Sequence, residues 1–388
     1  MTALLKVFKR EIYALKNNNF MLFSVFVLPF LFITLVTATF ISGVARDLPI
    51  AVLDEDSSSL SRSFVRSINA APAVAVKYKI ATPNEGEHLL KSAKVYALII
   101  IPKNFQKDIY LQKQPKLLYY YNNQMIAVGG LITRDIKTTI QTLLIGLTAS
   151  IYAKKGKPLK IVTDKTSLIR IDERIKSNPY FNYSYFLMYS LIAHIFQVLI
   201  TLTAIWTVGS EFKYGTTENW QKTANNCIIT AVFGKLLPYF LLFYIFIIGT
   251  YGAYIKFYNA PFAGNIGFTA IGIALFILAY QLMGTLFVTI LHNCRTAMSL
   301  GGVYTSLGFS LAGMTFPSFA MPAFVQVYSA ILPIRPFVAL IVDQALKGIP
   351  FVYDMPYIYW LFAFVVVGLC ALPLLKKHVG DKTLCFGI

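Results

Sequence analysis

Charge is what this chain lacks over long distances. Only 13% of its 388 residues are Asp, Glu, Lys or Arg. Uncharged stretches run from Asn17 to Ala45, Ser177 to Ser210, Leu236 to Ile255, Phe257 to Cys294, Thr296 to Ile334 and Met355 to Leu375. A charge at a bilayer centre costs roughly 2.5 to 3.5 kcal/mol on insertion scales, so such gaps mark spans. With 56% hydrophobic residues and a mean hydropathy of +0.61, a water-soluble globular domain is excluded. The gaps predict helices from Phe20 to Val44, Tyr185 to Val208, Leu236 to Ile255, Ile266 to Leu291, Ala297 to Phe316 and Tyr357 to Leu374. The expected fold is an α-helical membrane protein with six transmembrane helices.

Other absences narrow the chemistry. Cys227, Cys294, Cys370 and Cys385 leave the stretch from Ala45 to Lys176 without a thiol, which excludes a disulfide framework there. His88, His194, His292 and His378 stand singly, so no zinc spacing exists. Gly156-Lys157 and Gly234-Lys235 lack the upstream glycine of a phosphate-cradling loop, and no metalloprotease helix, nucleophile elbow or carboxylate dyad occurs. The spans hold almost no ionisable residue, which disfavours an ion-driven secondary transporter. His194 and Gln197, one helical turn apart, come nearest; they read as interhelical hydrogen-bonding groups rather than a relay. The chain reads as a pathway powered from elsewhere.

What is present begins with the segment between the first two spans. Leu48 to Leu53, Ala73 to Ile80, Val95 to Ile101 and Leu117 to Tyr121 read as strands. Leu60 to Ile68, Asn84 to Ala93, Pro102 to Tyr110 and Met125 to Ala153 read as helices, with Pro102 in a first turn. Alternation of this kind predicts an inserted α/β domain. The apolar run Thr138 to Ala153 is too short to span and reads as the domain's stalk. Short loops carry the orientation signal. Lys6, Lys9, Arg10, Lys16, Lys213, Lys222, Lys235, Arg295, Lys376, Lys377 and Lys382 lie on one side, against Lys256, Arg335 and Lys347 on the other. Both termini are therefore expected in the cytoplasm and the insert outside it. The insert holds 21 basic and 11 acidic residues; export argues against nucleic acid and leaves membrane lipid, an acidic partner or a solvated face.

Leu4, Phe8, Ile12 and Leu15 recur at helical spacing among basic residues, predicting an amphipathic helix at the cytoplasmic interface. The expected domains are 1–45, the interfacial helix and first span; 46–178, the extracytoplasmic domain; and 179–388, a five-helix block with a cytoplasmic loop 209–226. Pro317, Pro322, Pro333, Pro336, Pro350 and Pro356 break the apolar region 316–356, which reads as re-entrant. In the loop, Gly215-Thr216 can end one helix and cap the next, with Glu218 in the new first turn. A rigid stub from Glu211 to Trp220 is a handle for a cytoplasmic partner; the alternative is that Glu211 and Glu218 are solvated charges at a span end.

The chain resembles the permease subunits of ABC-2 type exporters, in the branch with a large domain after the first helix. Glu211, Gly215, Thr216 and Glu218 match one family pattern, and Gly234, Lys235 and Pro238 a second. Phe316, Pro317, Met321 and Pro322, followed by Pro333 and Gly348, match a third. Val52 to Asp56, Ser59 to Arg62, Ile100 to Phe105, Asn178-Pro179 and Asn182-Tyr183 also look like the family. One departure is Thr223-Ala224, where the family often has Thr-Pro, so the downstream end of the coupling helix is not fixed by the pattern. The resemblance implies a six-helix half-transporter in a bacterial inner membrane, paired with a second copy or paralogue. It further implies cytoplasmic ABC ATPase subunits on Glu211, Gly215, Thr216, Glu218 and Trp220. ATP and magnesium would then belong to those subunits and no cofactor to this chain. It admits a periplasmic adaptor protein against the insert, and the apolar spans suit an amphiphilic substrate. The competing expectation is a membrane-anchored sensor or assembly factor, for which five clustered spans are more than anchoring needs.

Overall fold

The computed structural model describes residues 2–40, 43–111, 113, 115–122, 126–154, 178, 182–291, 293–314 and 316–379; Met125, Pro179, His292, Lys382 and Cys385 lie outside them. The chain is mostly helical and divides into two compact units. One comprises Met1–Ile41, Lys176–Asn178 and Ser184–Ile388, the other Ser42–Ile175 and Pro179–Tyr183.

Helix α1 (Ala3–Lys16) opens the helical unit. Its inner stripe differs from a purely apolar one: Val7, Glu11 and Leu15 are the buried residues. Helix α2 (Asn19–Thr39) is started by the Asn18 side chain, which accepts from the Met21 amide at 3.1 Å. Phe23–Val27 winds as a π-turn just before Pro29. A wider turn there accommodates a proline that cannot donate within the helix. The helix ends short of Val44, but its 21 residues already cover a bilayer core of roughly 30 Å.

The second unit is a four-stranded sheet with helices on both faces. It runs β1 (Leu48–Asp54), α3 (Ser59–Asn69), β2 (Val74–Ile80), α4 (Pro83–Lys91), β3 (Ala97–Ile101), α5 (Phe105–Tyr110), β4 (Leu118–Tyr121) and α6 (Ile126–Lys154). The strand order is β2-β1-β3-β4, with β1 parallel to β2 and β3, and β4 antiparallel to β3. Ile50, Val52, Ile99 and Ile101 pack on Phe64, Ile68, Ile132 and Ile136 on one face; Ala51, Leu53 and Leu98 pack on Leu89 on the other. Burial on both faces explains the unbroken apolar run of β3. Helix α6 is tied to this core by Asp135, whose carboxylate accepts from the Ala73 amide at 2.8 Å. Pro102 does not occupy the first turn of α5, which begins at Phe105 after Asn104 in left-handed backbone.

The helical unit continues with α7 (Tyr183–Lys213), α8 (Thr217–Thr223), α9 (Ile228–Tyr258), α10 (Ile266–Leu291) and α11 (Cys294–Leu311). It closes with α12 (Ala323–Ala330), α13 (Ile334–Lys347), α14 (Phe351–Cys370) and α15 (Leu372–Val379). Five helices among the described residues are long and apolar enough to cross a membrane: α2, α7, α9, α10, and α14 with α15 as one. The pair α12–α13, bent by 88°, makes a sixth if it is one broken span. Helix α11, expected as the fifth span, is not in that set. It begins earlier than Ala297, because Asn293 accepts from the Arg295 and Thr296 amides, and Gly301, Gly302, Gly308 and its hydroxyls dilute its apolar character. Pro322, Pro333 and Pro350 stand at the N-caps of α12, α13 and α14, where a missing N–H costs no helical bond.

Helices α10 and α14 meet at Gly368, where an added Cβ would collide with Leu282 Cβ and lie 3.3 Å from its backbone carbon. Gly302 has nothing within 4 Å of such a position. We predict that Gly368→Ala loses about 1–3 kcal/mol through overpacking and that Gly302→Ala does not, read as the thermal midpoint of the detergent-solubilised protein. Equal midpoints for the two variants would refute this packing.

Candidate functional site

The last turn of α7 supplies Glu211, and the chain leaves that helix through a glycine turn. Gly215 takes φ +66°; the Thr216 amide donates to the Glu211 carbonyl at 2.9 Å and the Gly215 amide to Phe212 at 3.2 Å. These two bonds form a Schellman closure, which requires the left-handed residue that glycine supplies without strain. Thr216 then sits at the start of α8, but its hydroxyl does not cap that helix. It donates to Glu211 Oε2 at 2.5 Å. Trp220 is wholly buried and its indole N–H donates to the Ala231 carbonyl at 3.1 Å, holding α8 against α9.

Glu211 anchors a buried ion cluster built from three segments distant in sequence. Arg10 Nη2 of α1 lies 2.8 Å from Glu211 Oε2, and Lys235 Nζ of α9 contacts Glu211 Oε1. The same ammonium lies 2.8 Å from Glu11 Oε2, and the Tyr239 hydroxyl donates to Glu11 Oε1 at 2.8 Å. Lys235, Glu211 and Glu11 are 3%, 4% and 5% exposed. At that burial a lone charge costs several kcal/mol, and only pairing with full hydrogen bonding offsets it. Two carboxylates face two cations, so the cluster is neutral. Lys235 also stands 5.7 Å from the Trp220 ring centre, within cation–π range.

Gly234 explains how α1 comes close enough. A Cβ there would lie 2.9 Å from Val7 Cβ and 3.1 Å from the Leu4 carbonyl. Glycine makes the room and the adjacent lysine reaches through it. Beside the cluster is a cleft of about 340 Å³ lined by Arg10, Asn18, Trp206, Tyr214, Thr216 and Lys235 among others. Lys213, Tyr214, Gly215, Glu218 and Asn219 form the exposed rim of the turn.

The structure thus brings Glu211, Thr216 and Trp220 together, while Gly215 and Glu218 stay on the exposed turn. The segment is not a stub projecting as a whole, because Glu211 and Trp220 are buried. Arg10, Glu11, Lys235 and Tyr239 were not among the expected site residues. The signal for Glu11 is its position midway between Val7 and Leu15, an acid in the centre of a stripe that buries.

The polar pair of the second span separates into two roles. Gln197 Nε2 donates to the Thr305 carbonyl of α11 at 2.9 Å, and Gln197 Oε1 accepts from the Tyr280 hydroxyl of α10 at 2.6 Å. That hydroxyl in turn accepts from the Ile334 amide of α13 at 3.1 Å. His194 instead bonds within its own helix, Nδ1 lying 2.7 Å from the Ser190 carbonyl, and its ring meets Phe309 edge-on at 5.2 Å. In the outer region Phe316 is exposed and Met321 buried. Pro317 precedes a 3₁₀ turn, Ser318–Ala320, and Pro322 and Pro333 begin helices. None of these five joins the ion cluster.

The family model described as ABC-2 family transporter protein matches residues 20–372. Linearmycin resistance permease protein LnrN of Bacillus subtilis (strain 168) is 20% identical over 341 residues, which cover 82% of this chain and 84% of that protein. No solved structure matches.

Removing Lys235 leaves two buried carboxylates opposite Arg10 alone. We predict a loss of about 3–5 kcal/mol for Lys235→Met and partial recovery on adding Glu11→Gln, both read by thermal unfolding of the purified protein. A double variant no more stable than Lys235→Met would mean that Glu11 is not a partner of Lys235.

Proposed function

Because this multi-pass membrane protein belongs to the ABC-2 transporter family, we propose that it is the permease subunit of an ATP-driven exporter that moves an amphiphile out of the cytoplasm or inner leaflet. One observation carries the reading: the exposed turn Tyr214 to Asn219 is fastened from behind by ion pairs to α1 and α9. A partner pushing on that turn moves Glu211, and with it Arg10 and Lys235, so three helical segments receive the displacement together. Force is passed by stiff, packed elements with two arrangements rather than by charge at a distance.

In this reading ATP and magnesium are bound by cytoplasmic ATPase subunits that dock on the turn, and this chain contributes no nucleotide site. Both termini face the cytoplasm of a bacterial inner membrane, the α/β unit faces outward, and a second permease copy or paralogue completes the pathway. A periplasmic adaptor fits as a further partner of the outward unit. An amphiphilic, drug-like or lipid-like substrate is supported by the word resistance in the relative's name. It is also supported by an apolar cavity of about 540 Å³ among α2, α7 and α9, with Phe30, Ile192, Phe246 and Tyr254 in its wall.

The test is co-purification with the cognate ATPase followed by its hydrolysis rate. We expect the wild type to retain the ATPase. Tyr214→Ala with Glu218→Lys, both on the exposed rim, should lose it while the thermal midpoint stays within a degree or two. Failure of the wild type to hold any ATPase, with and without nucleotide, would sink the proposal.

A further inference from the structure

The α/β unit carries a second polar concavity, unrelated to the ion cluster. It has a volume of about 480 Å³ and is lined by Val52, Asp54, Ser57, Arg62, Val65, Arg66, Lys79 and Ile80. It lies at the carboxyl ends of the parallel strands β1 and β2, beneath the middle of α3. In parallel α/β sheets that end is where ligands are received, because the strand-to-helix loops open there.

Three local devices aim cations into this space. The register between β1 and β2 shifts at Ile50/Ala51: Ile50 is opposite Val76, but Ala51 is opposite Tyr78. The one-residue bulge changes the face on which the end of β2 points, and it puts Lys79 level with Val52 on the α3 side. Arg62 and Arg66 are one turn apart on α3 and share a face. Ser57, in left-handed backbone at φ +50°, turns its carbonyl to accept from Arg62 Nη1 at 2.7 Å, which fixes that guanidinium at the rim.

The acid in the wall does not neutralise them. Asp54 Oδ1 accepts from the Asp56 and Ser57 amides at 3.1 and 2.9 Å, and Oδ2 from the Ser61 hydroxyl at 2.7 Å. Asp56 is turned to the Gln106 amide, 3.1 Å away. Among the described residues none of Arg62, Arg66 and Lys79 pairs with a carboxylate. Three cations therefore surround a concavity with one committed carboxylate, and Val52 and Val65 give it an apolar side.

We propose that this concavity binds the anionic head of an amphiphile, with Arg62, Arg66 and Lys79 holding the head and Val52 and Val65 receiving the first carbons of its tail. Guanidinium pairs suit phosphate and carboxylate geometry, and the apolar wall separates an amphiphile from a free anion. The site lies in a different unit from the coupling turn and stands whether or not an ATPase docks there.

The experiment uses the full chain in a neutral maltoside detergent and three soluble probes, hexyl phosphate, inorganic phosphate and hexanol, titrated calorimetrically. Saturable binding of hexyl phosphate is expected, with inorganic phosphate and hexanol each weaker by about tenfold. Arg62→Gln with Arg66→Gln should weaken hexyl phosphate by about tenfold or more, given the strength of charge-assisted bonds. Lys94→Gln, an exposed cation elsewhere on the unit, should change nothing. The thermal midpoint of each variant shows that folding is retained. Unchanged affinity in the arginine double variant overturns the site. Inorganic phosphate binding as tightly as hexyl phosphate overturns the amphiphile and leaves a free-anion site, and hexanol binding as tightly overturns the role of charge.

Discussion

The ammonium of Lys235 is the constraint on which the helical unit depends. It is almost wholly buried, between an acid from α1 and an acid from the end of α7. An apolar set of the same volume holds helices together at least as well. What ions add is register: Lys235 satisfies Glu11 and Glu211 only when α1, α7 and α9 are each at one rotation and one height. Gly234, by letting α1 approach, and the Schellman turn at Gly215, by stopping α7 one turn after Glu211, both serve that single arrangement.

A second polar junction, built from neutral groups, lies along the same helix α7. Gln197, Tyr280, Thr305 and the Ile334 amide join α7, α10, α11 and the broken pair. The two junctions differ in kind. The ionic one is at the end of α7 that carries the exposed turn, while the neutral one lies among apolar side chains, where an amide and a phenol cost less to bury than a charge. Movement imposed on the turn therefore has a stiff helix between it and the backbone break at Ile331 to Pro333.

Much of this was legible in the amino-acid sequence, and the reasons it failed elsewhere are physical. Gaps between charges located α2, α7, α9, α10 and α14, because the cost of a charge in lipid leaves a mark on composition. They marked α11 as a span, although glycine and hydroxyls leave that helix less apolar than the others, and the prolines marked the bent α12–α13 region as re-entrant. Short apolar runs and, at Ala73 to Ile80, alternation found the four strands, though the bulge that redirects Lys79 leaves no trace in residue type. The coupling turn was visible through Gly215. Its buried half was not, since Glu211 pairs with residues about 200 positions earlier and 24 later, and nothing local announces a long-range ion pair.

The ion cluster also sets an order of assembly. Lys235 follows Glu11 by 224 positions in the chain. At roughly 5–20 residues per second the N-terminal helix waits on the order of ten to forty-five seconds for the counter-charge that lets it bury. Through that interval it has to lie in water or among lipid head groups. Helix α1 is thus made well before it can be seated, and the cluster closes only after α2, the whole α/β unit and α7 have been made.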